Sequence, residues 1–262
     1  MPNKSFKWDA KLYQESSSFQ FNLGLMAIEK LNPKVNENIL EIGCGNAKLT
    51  IELAKKIPSG TITAIELSED MVNQAEENLN KQQVKNIKIV NRDAININYE
   101  NQFDAVFSNS AIHWIKNLET MYNLIYKSLK QKGRIIIQTG LKENNNLFRS
   151  LLEIINLKEF KQFFKNFSQP WRFLTQNETE FILQQNNFQD INVESYKYIV
   201  TFKTETEMIN FFKAAALVPF LNVLPEEKVL NFIECFKKVY YKICNTNELE
   251  VQMTRLFISA RK

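Results

Sequence analysis

Cysteine is scarce in this 262-residue sequence: there are three, Cys44, Cys235 and Cys244, with no C-x-x-C pair among them. Histidine is scarcer still, since His113 stands alone. With so few soft ligands no metal site is expected, and an odd cysteine count without a disulfide framework points to a reducing, cytoplasmic setting. No apolar run approaches the ~20 residues that would span a bilayer, which argues against a membrane protein. Met1 to Lys11 carry charge and lack an apolar centre, so a signal peptide is not expected there. Long Lys/Arg runs are missing and the net charge is only +4, so no nucleic-acid partner is indicated. Six glycines and six prolines, without an internal repeat or a disordered linker, suit a globular chain.

The chain is 44% hydrophobic and 24% charged, and is long enough for one α/β domain with an insertion or for two small domains. Its most informative stretch runs from Asn38 to Thr50. Ile39, Leu40 and Ile42 form a short apolar run that stops at Gly43-Cys44-Gly45, and a helical pattern begins at once with Leu49, Ile51, Leu53 and Ala54. That order spells strand, tight turn, helix, with glycines that let a ligand approach main-chain N–H groups. A dinucleotide fingerprint would need a third glycine at position 48, where Lys48 stands, and no G-K-[ST] follows for a P-loop. Glu41 beside the turn disfavours a pyrophosphate and suits a cation. Glu41-x-Gly43-x-Gly45 resembles the first motif of the class I S-adenosylmethionine-dependent methyltransferases, whose cofactor is a sulfonium. Ala47 departs from it, standing where many members have a third glycine.

Strands and helices then alternate at short intervals. Strands are expected at Thr61–Glu66, Ile87–Val90, Phe103–Asn109 and Arg134–Gln138, with a helix capped by Ser68 and another within Ala111–Leu129. This rhythm predicts a doubly wound parallel sheet covered by helices on both faces. Beyond Gly140 the pattern changes: a Phe-rich helix over Leu147–Phe167, a helix over Asn177–Gln185, a strand over Ile191–Phe202, two helices split at Pro219 and Pro225, and a last strand over Leu249–Ser259. The expected organisation is an N-terminal arm and helix over residues 1–35, a Rossmann-like core over 36–203, an inserted helical cap over 204–246, and a final core strand over 247–262. Phe202, Phe211, Phe212 and Phe220 either receive an apolar acceptor tail or form the core of the cap.

Open α/β sheets bind ligands at the carboxyl ends of their strands. Glu66 lies there, either gripping two ribose hydroxyls or ending as a solvated turn residue. Asp93 with Ala94 either reads an adenine edge or caps a helix. Taken together, Glu41 to Gly45, Glu66-Leu67-Ser68 with Met71, Asp93-Ala94, Phe103-Asp104 and Ser108-Asn109 resemble the ordered cofactor motifs of the class I methyltransferases. The likeness implies a seven-stranded sheet and cofactor contacts at Gly43, Cys44, Gly45, Glu66, Leu67, Met71, Asp93, Ala94 and Asn109. Asn109-Ser110-Ala111-Ile112 lacks the prolines of the base-amine methyltransferases at this strand end.

A narrower likeness, over Trp8 to Tyr13, Asn109 to Trp114, Phe211 to Leu224 and Thr254 to Ile258, is to the trans-aconitate methyltransferases. Leu12 to Gln20 with His113-Trp114 is also similar to the juvenile hormone acid methyltransferases. Both groups methylate carboxylates, and the second likeness implies that Gln20 and Trp114 hold the acceptor carboxylate through neutral donors. Such an acceptor is ionised at pH 7 and needs no general base. Otherwise Trp114 is a core anchor and Gln20 a surface residue. His113 either serves as a general base for a hydroxyl or amine acceptor or bonds a nearby carbonyl. The expectation is methyl transfer from S-adenosylmethionine, leaving S-adenosylhomocysteine, to a small-molecule carboxylate by a monomer or homodimer. The alternatives are O- or C-methylation of a hydroxyl or ring carbon, and a catalytically inactive cofactor-binding partner protein.

Overall fold

The computed structural model describes residues 18–143, 145–245 and 249–262. Trp8 to Tyr13, and the part of the expected arm before Ser18, lie outside the described residues. The chain forms two compact units, whose described parts are 18–141, 171–196 and 255–262 in one, and 142–170 and 197–254 in the other.

In the first unit, α1 (Ser18–Leu31) precedes β1 (Asn38–Ile42), α2 (Lys48–Lys56), β2 (Thr61–Glu66), α3 (Glu69–Gln82), β3 (Ile87–Asn91), β4 (Phe103–Asn109), α4 (Leu118–Ser128) and β5 (Leu129–Gly140). Further along lie α5 (Asn146–Ile155), α6 (Gln176–Gln185), β6 (Gln189–Thr201) and β7 (Glu250–Arg261). Seven strands of the described residues form one sheet in the order β3-β2-β1-β4-β5-β7-β6. β1 pairs in parallel with β2 and β4, β2 with β3 and β4 with β5, whereas β7 runs antiparallel to β5. This is the α/β fold that the alternating pattern predicts, with an antiparallel strand added at one side.

Each element is explained by local chemistry and by the face it buries. α3 begins at Ser68, whose hydroxyl accepts from the Met71 N–H, and it buries Met71, Val72, Ala75 and Leu79 one above another. α4 begins at Asn117, which accepts from the Thr120 N–H, and it buries Leu118, Met121, Tyr122 and Ile125. These residues meet Leu40, Ile42, Val106, Ile135 and Ile137 of the central strands in the main core. Strands covered on both faces carry continuous apolar runs, as here.

Polar ties hold the amino ends of the strands. Asp104 accepts from the Asn38 N–H at 2.8 Å and pairs with Lys130 at 2.8 Å, so this acid of the Phe103-Asp104 motif serves the frame. Arg134 meets both oxygens of Glu37 at 2.7 and 2.8 Å and also donates to the Leu31 carbonyl. One guanidinium thus fastens the end of α1 and the entry of β1 to β5. Burial pushes the Glu37 carboxyl up, but the bonds from Arg134 and the Lys34 N–H outweigh it and leave its pKa lowered.

The second unit has its own aromatic core. α5 packs beside α8 (Glu226–Cys244), with α7 (Glu205–Phe212) and a single π-helical turn at Lys213–Leu217 between them in sequence. Phe212 lies edge-on to Phe236 and Tyr240 at 5.0 and 4.9 Å, and Phe164 packs against Phe220 and Phe232. Phe211, Phe212 and Phe220 are buried in these contacts, as core side chains. The long helix expected over Leu147–Phe167 is instead α5 followed by successive turns to Asn166. No described helix is long and apolar enough to cross a membrane.

Replacing Arg134 with Met leaves Glu37 buried without its counter-charge and should cost about 3 kcal/mol of stability at pH 7, read by urea denaturation. The pair's contribution is present above the ordinary carboxylate pKa and is lost as pH falls through the lowered pKa of Glu37, so the two proteins should converge in acid.

Candidate active site

The carboxyl ends of β1 and β2 are joined through a turn with two left-handed glycines, Gly43 at φ 73° and Gly45 at φ 55°. Gly43 and Cys44 both donate their N–H to the Ile65 carbonyl, at 2.8 and 3.2 Å. Gly45 donates to Glu66 Oε2 at 3.0 Å, while Glu66 Oε1 accepts from the Leu67 and Ser68 N–H groups at 2.9 Å each. The N–H donors of Gly43, Cys44 and Gly45 are therefore all engaged within the protein. A phosphate cradle needs such donors to face the ligand. This turn offers shape and negative charge instead.

A side chain at Gly43 would collide with Ala111, whose Cβ lies 2.3 Å from where its Cβ would stand. At Gly45 the opposite holds: an added Cβ meets no heavy atom of the described residues within 4 Å beyond its chain neighbours. Gly43 is thus required by the protein's packing, and Gly45 by its backbone angle and the open space above it. Ala47 is also left-handed, at φ 60°, and is wholly buried. A glycine there would relieve about 1 kcal/mol of strain but remove a buried methyl worth about 0.8 kcal/mol, so alanine is tolerated.

Two acids flank the turn. Glu41 is 2% exposed, and its Oε2 has no hydrogen-bond partner among the described residues. Burial pushes its carboxyl up to about 7, with the Thr50 hydroxyl pulling the other way and the nearby Glu66 adding to the rise. Burial also raises Glu66, against its three backbone donors. With three of its four lone-pair positions in use, Glu66 has room for one more bond, on Oε2, where the sequence pattern asked for a grip on two hydroxyls. Leu67, the next residue, is 45% exposed and presents an apolar face at the same strand end.

The remaining expected contacts lie at neighbouring strand ends. Asp93 caps the short turn Ala94–Asn96 by accepting from the Ile95 N–H at 3.1 Å, and its second oxygen has no bond in that cap. Met71 is buried on α3, and burial pushes the Cys44 thiol up, so it is inert. Asn109 ends β4, and its Nδ2 donates to the Gln20 carbonyl at 3.1 Å. Asn109 Oδ1 and Gln20 Oε1 are buried without partners among the described residues. The first turn of α1 is thereby brought to the end of β4. Gly24 allows that approach, because a Cβ there would lie 2.2 Å from Leu49 and 3.0 Å from Asn109 Nδ2.

These features fit a nucleoside carrying positive charge. Among the described residues there is open space over Gly45, an exposed apolar residue follows Glu66, two acids flank the turn, and buried polar atoms of Glu41, Asn109 and Gln20 are left without partners.

Beyond Asn109 the chain forms an aromatic wall. His113 is 8% exposed, shares a hydrogen bond through Nδ1 with Thr139 Oγ1 at 3.0 Å, and stacks on Phe173 at 5.0 Å. Burial, then the positive charge of Arg255, lowers its pKa to about 3. Trp114 packs edge-on to Trp171 at 5.6 Å and is only half-buried. Arg172 fastens the segment by donating its N–H to the His113 carbonyl at 2.8 Å and by pairing with Glu119. Ser110, Gln138 and Arg255 join this end of the sheet and were not among the expected site residues. The polar Gln138, ending the apolar run Ile135-Ile136-Ile137, was the available signal.

Residues 33–194 match the family model described as "Methyltransferase domain". The chain is 25% identical to 235L of Invertebrate iridescent virus 6, named as a methyltransferase, over 97% of this chain and 93% of that protein. It is 30% identical to the malonyl-[acyl-carrier protein] O-methyltransferase of Priestia megaterium, over 70% of this chain and 66% of that protein. Among solved structures, a phosphoethanolamine N-methyltransferase 2 of Haemonchus contortus superposes with a TM-score of 0.64 at 20% identity, covering 97% of this chain and 56% of that one.

Glu41 gives a signed pH effect. Its carboxyl is at about 7 in the folded chain against 4.5 as the ordinary value, so stability is lost as pH rises from 4.5 to 7. Glu41→Gln should gain about 3 kcal/mol relative to the parent between pH 4.5 and pH 7.5, measured by urea denaturation at both. A constant difference would show that Glu41 is ionised at its ordinary pKa. Ala47→Gly should change stability by less than about 1 kcal/mol, because its two effects oppose.

Proposed function

The chain belongs to the methyltransferase domain family as a class I S-adenosylmethionine-dependent enzyme, and we propose that its acceptor is a small-molecule carboxylate, methylated on oxygen. One observation carries this reading. The sole histidine of the sequence is buried, tied to Thr139 and held neutral with a pKa of about 3. Such an imidazole is a poor proton acceptor at neutral pH, and a carboxylate has no proton to lose there. The P. megaterium relative is, by name, an O-methyltransferase of a malonyl group, which is in keeping with a carboxyl oxygen.

S-adenosylmethionine supplies, when bound, a methyl group on a positively charged sulfur. The residues that would hold it are the Gly43–Gly45 turn with Cys44, Glu66 and Leu67 after β2 with Met71 behind them, Asp93 and Ala94 after β3, and Asn109 after β4. Gly45 leaves room for the ligand, Glu66 keeps a lone pair for a hydroxyl, and Leu67 offers an apolar face for a flat ring. Glu41 and Glu66 favour positive charge nearby. Gln20 and Trp114 would orient the acceptor carboxylate. The Gln20 amide has an oxygen without a partner among the described residues, and turning the amide over exchanges acceptor for donor. Neutral donors orient an anion without withdrawing the charge that makes its oxygen nucleophilic. His113 then acts as a neutral wall, with Trp114 and Trp171 helping to exclude water. In this reading the protein works in the cytoplasm as a monomer or homodimer, away from nucleic acid and membranes.

The test is release of S-adenosylhomocysteine across small carboxylic acids, alcohols and amines, with the product treated with base. A base-labile product from an acid is expected. A base-stable ether, amine or carbon-methylated product would overturn the carboxylate reading, and calorimetry showing no cofactor binding would favour a scaffold. At saturating cofactor, kcat/KM for the acceptor should stay level between about pH 6 and 8. An ascending limb that His113→Asn removes would restore the histidine as a base.

A further inference from the structure

The acid before the glycine turn carries a burial cost that packing does not explain. Glu41 stands near the end of β1, the middle strand of the five parallel ones, two residues before Gly43. Its cross-strand partners are Ala64 on β2 and Phe107 on β4, neither of which ionises. Only 2% of it is exposed, and its Oε2 has no hydrogen-bond partner among the described residues. The wholly buried Thr50 on α2 is the polar side chain set against it. Among the described residues no lysine or arginine forms an ion pair with Glu41, and the charge felt there is that of Glu66 at the end of β2. The third titratable group is Cys44 in the turn, whose thiol is pushed up by burial and then by the two acids.

A carboxylate closed off from water, with one hydroxyl beside it, is far costlier than the neutral acid. Ionising both Glu41 and Glu66 adds repulsion to that cost, so one of them holds its proton longer. The hydrogen bonds decide which. Glu66 accepts from the N–H groups of Gly45, Leu67 and Ser68, which favour its charged form against burial. Glu41 has an oxygen left over instead. The proton therefore stays on Glu41, in line with its rise to about 7.

A cation within about 5 Å of a carboxyl favours the ionised form and reverses this balance. We propose that Glu41 holds a proton in the ligand-free protein and gives it up when the positively charged cofactor settles at the Gly43–Gly45 turn, so that cofactor binding is coupled to proton release. The O–H bond of the acid breaks, its electron pair stays on Glu41, and the proton passes to the buffer. Acid then competes with the cofactor and not with the acceptor. The proposal rests on the cofactor alone and stands whatever the acceptor is.

The test is calorimetry with S-adenosylmethionine and no acceptor, repeated in buffers of different ionisation enthalpy to count protons. The parent should release close to one proton at pH 6, and its Kd should tighten roughly 20-fold between pH 5.5 and 7.5. Glu41→Gln, which mimics the neutral acid, should remove that release and flatten the pH dependence. Adenosine has the nucleoside without the positive charge and should release none. Infrared difference spectra of the parent should show a protonated carboxyl lost on cofactor binding, which carries the comparison if Glu41→Gln fails to fold. Cofactor binding without proton release, equal release with adenosine, or the same release in Glu41→Gln would overturn the proposal and leave the cofactor reading standing. No cofactor binding at any pH would overturn both.

Discussion

The Glu66 carboxylate joins the tips of the two central strands that carry the ligand turn. It accepts from Gly45 on one side and from Leu67 and Ser68 on the other, while the Ile65 carbonyl takes the N–H groups of Gly43 and Cys44. Once these bonds are made, the turn is fixed in a left-handed path that only glycine adopts without strain. Its donors are spent, so it cannot cradle a phosphate. What it presents instead is space over Gly45, open among the described residues, with Glu66 bonded to the Gly45 N–H. How one strand-to-helix turn satisfies its own backbone thus leaves no N–H of Gly43, Cys44 or Gly45 for an anionic ligand.

The carboxyl ends of β4 and β5 show the same logic with the opposite sign of charge. The body of these strands is apolar and lies in the main core, yet they end in Ser108, Asn109, Gln138 and Thr139. Ser108 Oγ donates to the Ile42 carbonyl at 2.7 Å, which ties β4 to β1 just before the glycine turn. Beyond it, Ser110, Gln138 and Arg255 bond one another, and His113 bonds Thr139. Buried polar groups are tolerated when they are mutually bonded and are costly otherwise. The sheet thus gathers two carboxyls, Glu41 and Glu66, at the β1–β2 end and an arginine at the β5–β7 end.

Much of this fold was legible because its signals are local. Three residues of turn, an acid before it and an acid after the next strand are read directly from spacing, and Ser68 and Asp93 cap the turns that their positions suggest. The Phe-rich segment shows where local reading stops. Periodicity over Leu147–Phe167 allows one long helix, but the chain ends the helix at Ile155 and continues as turns, with Phe164 aimed at Phe220 and Phe232. That choice is made by residues more than fifty positions away. The sequence pattern places the inserted segment at 204–246, whereas one compact unit gathers 142–170 with 197–254, in which α5 packs beside α8.

The sequence alone determined the succession of strands and helices in the parallel half, the glycine turn and the acids beside it, since each depends on residues within one helix or one strand of one another. Only the tertiary structure decided how that charge is distributed. Burial raised Glu41 and neutralised His113, and the antiparallel pairing of β7 with β5 carried Arg255 to a loop 145 positions earlier in the chain. Ionisation in a protein depends on desolvation and on neighbours in space, and spacing along the chain records neither.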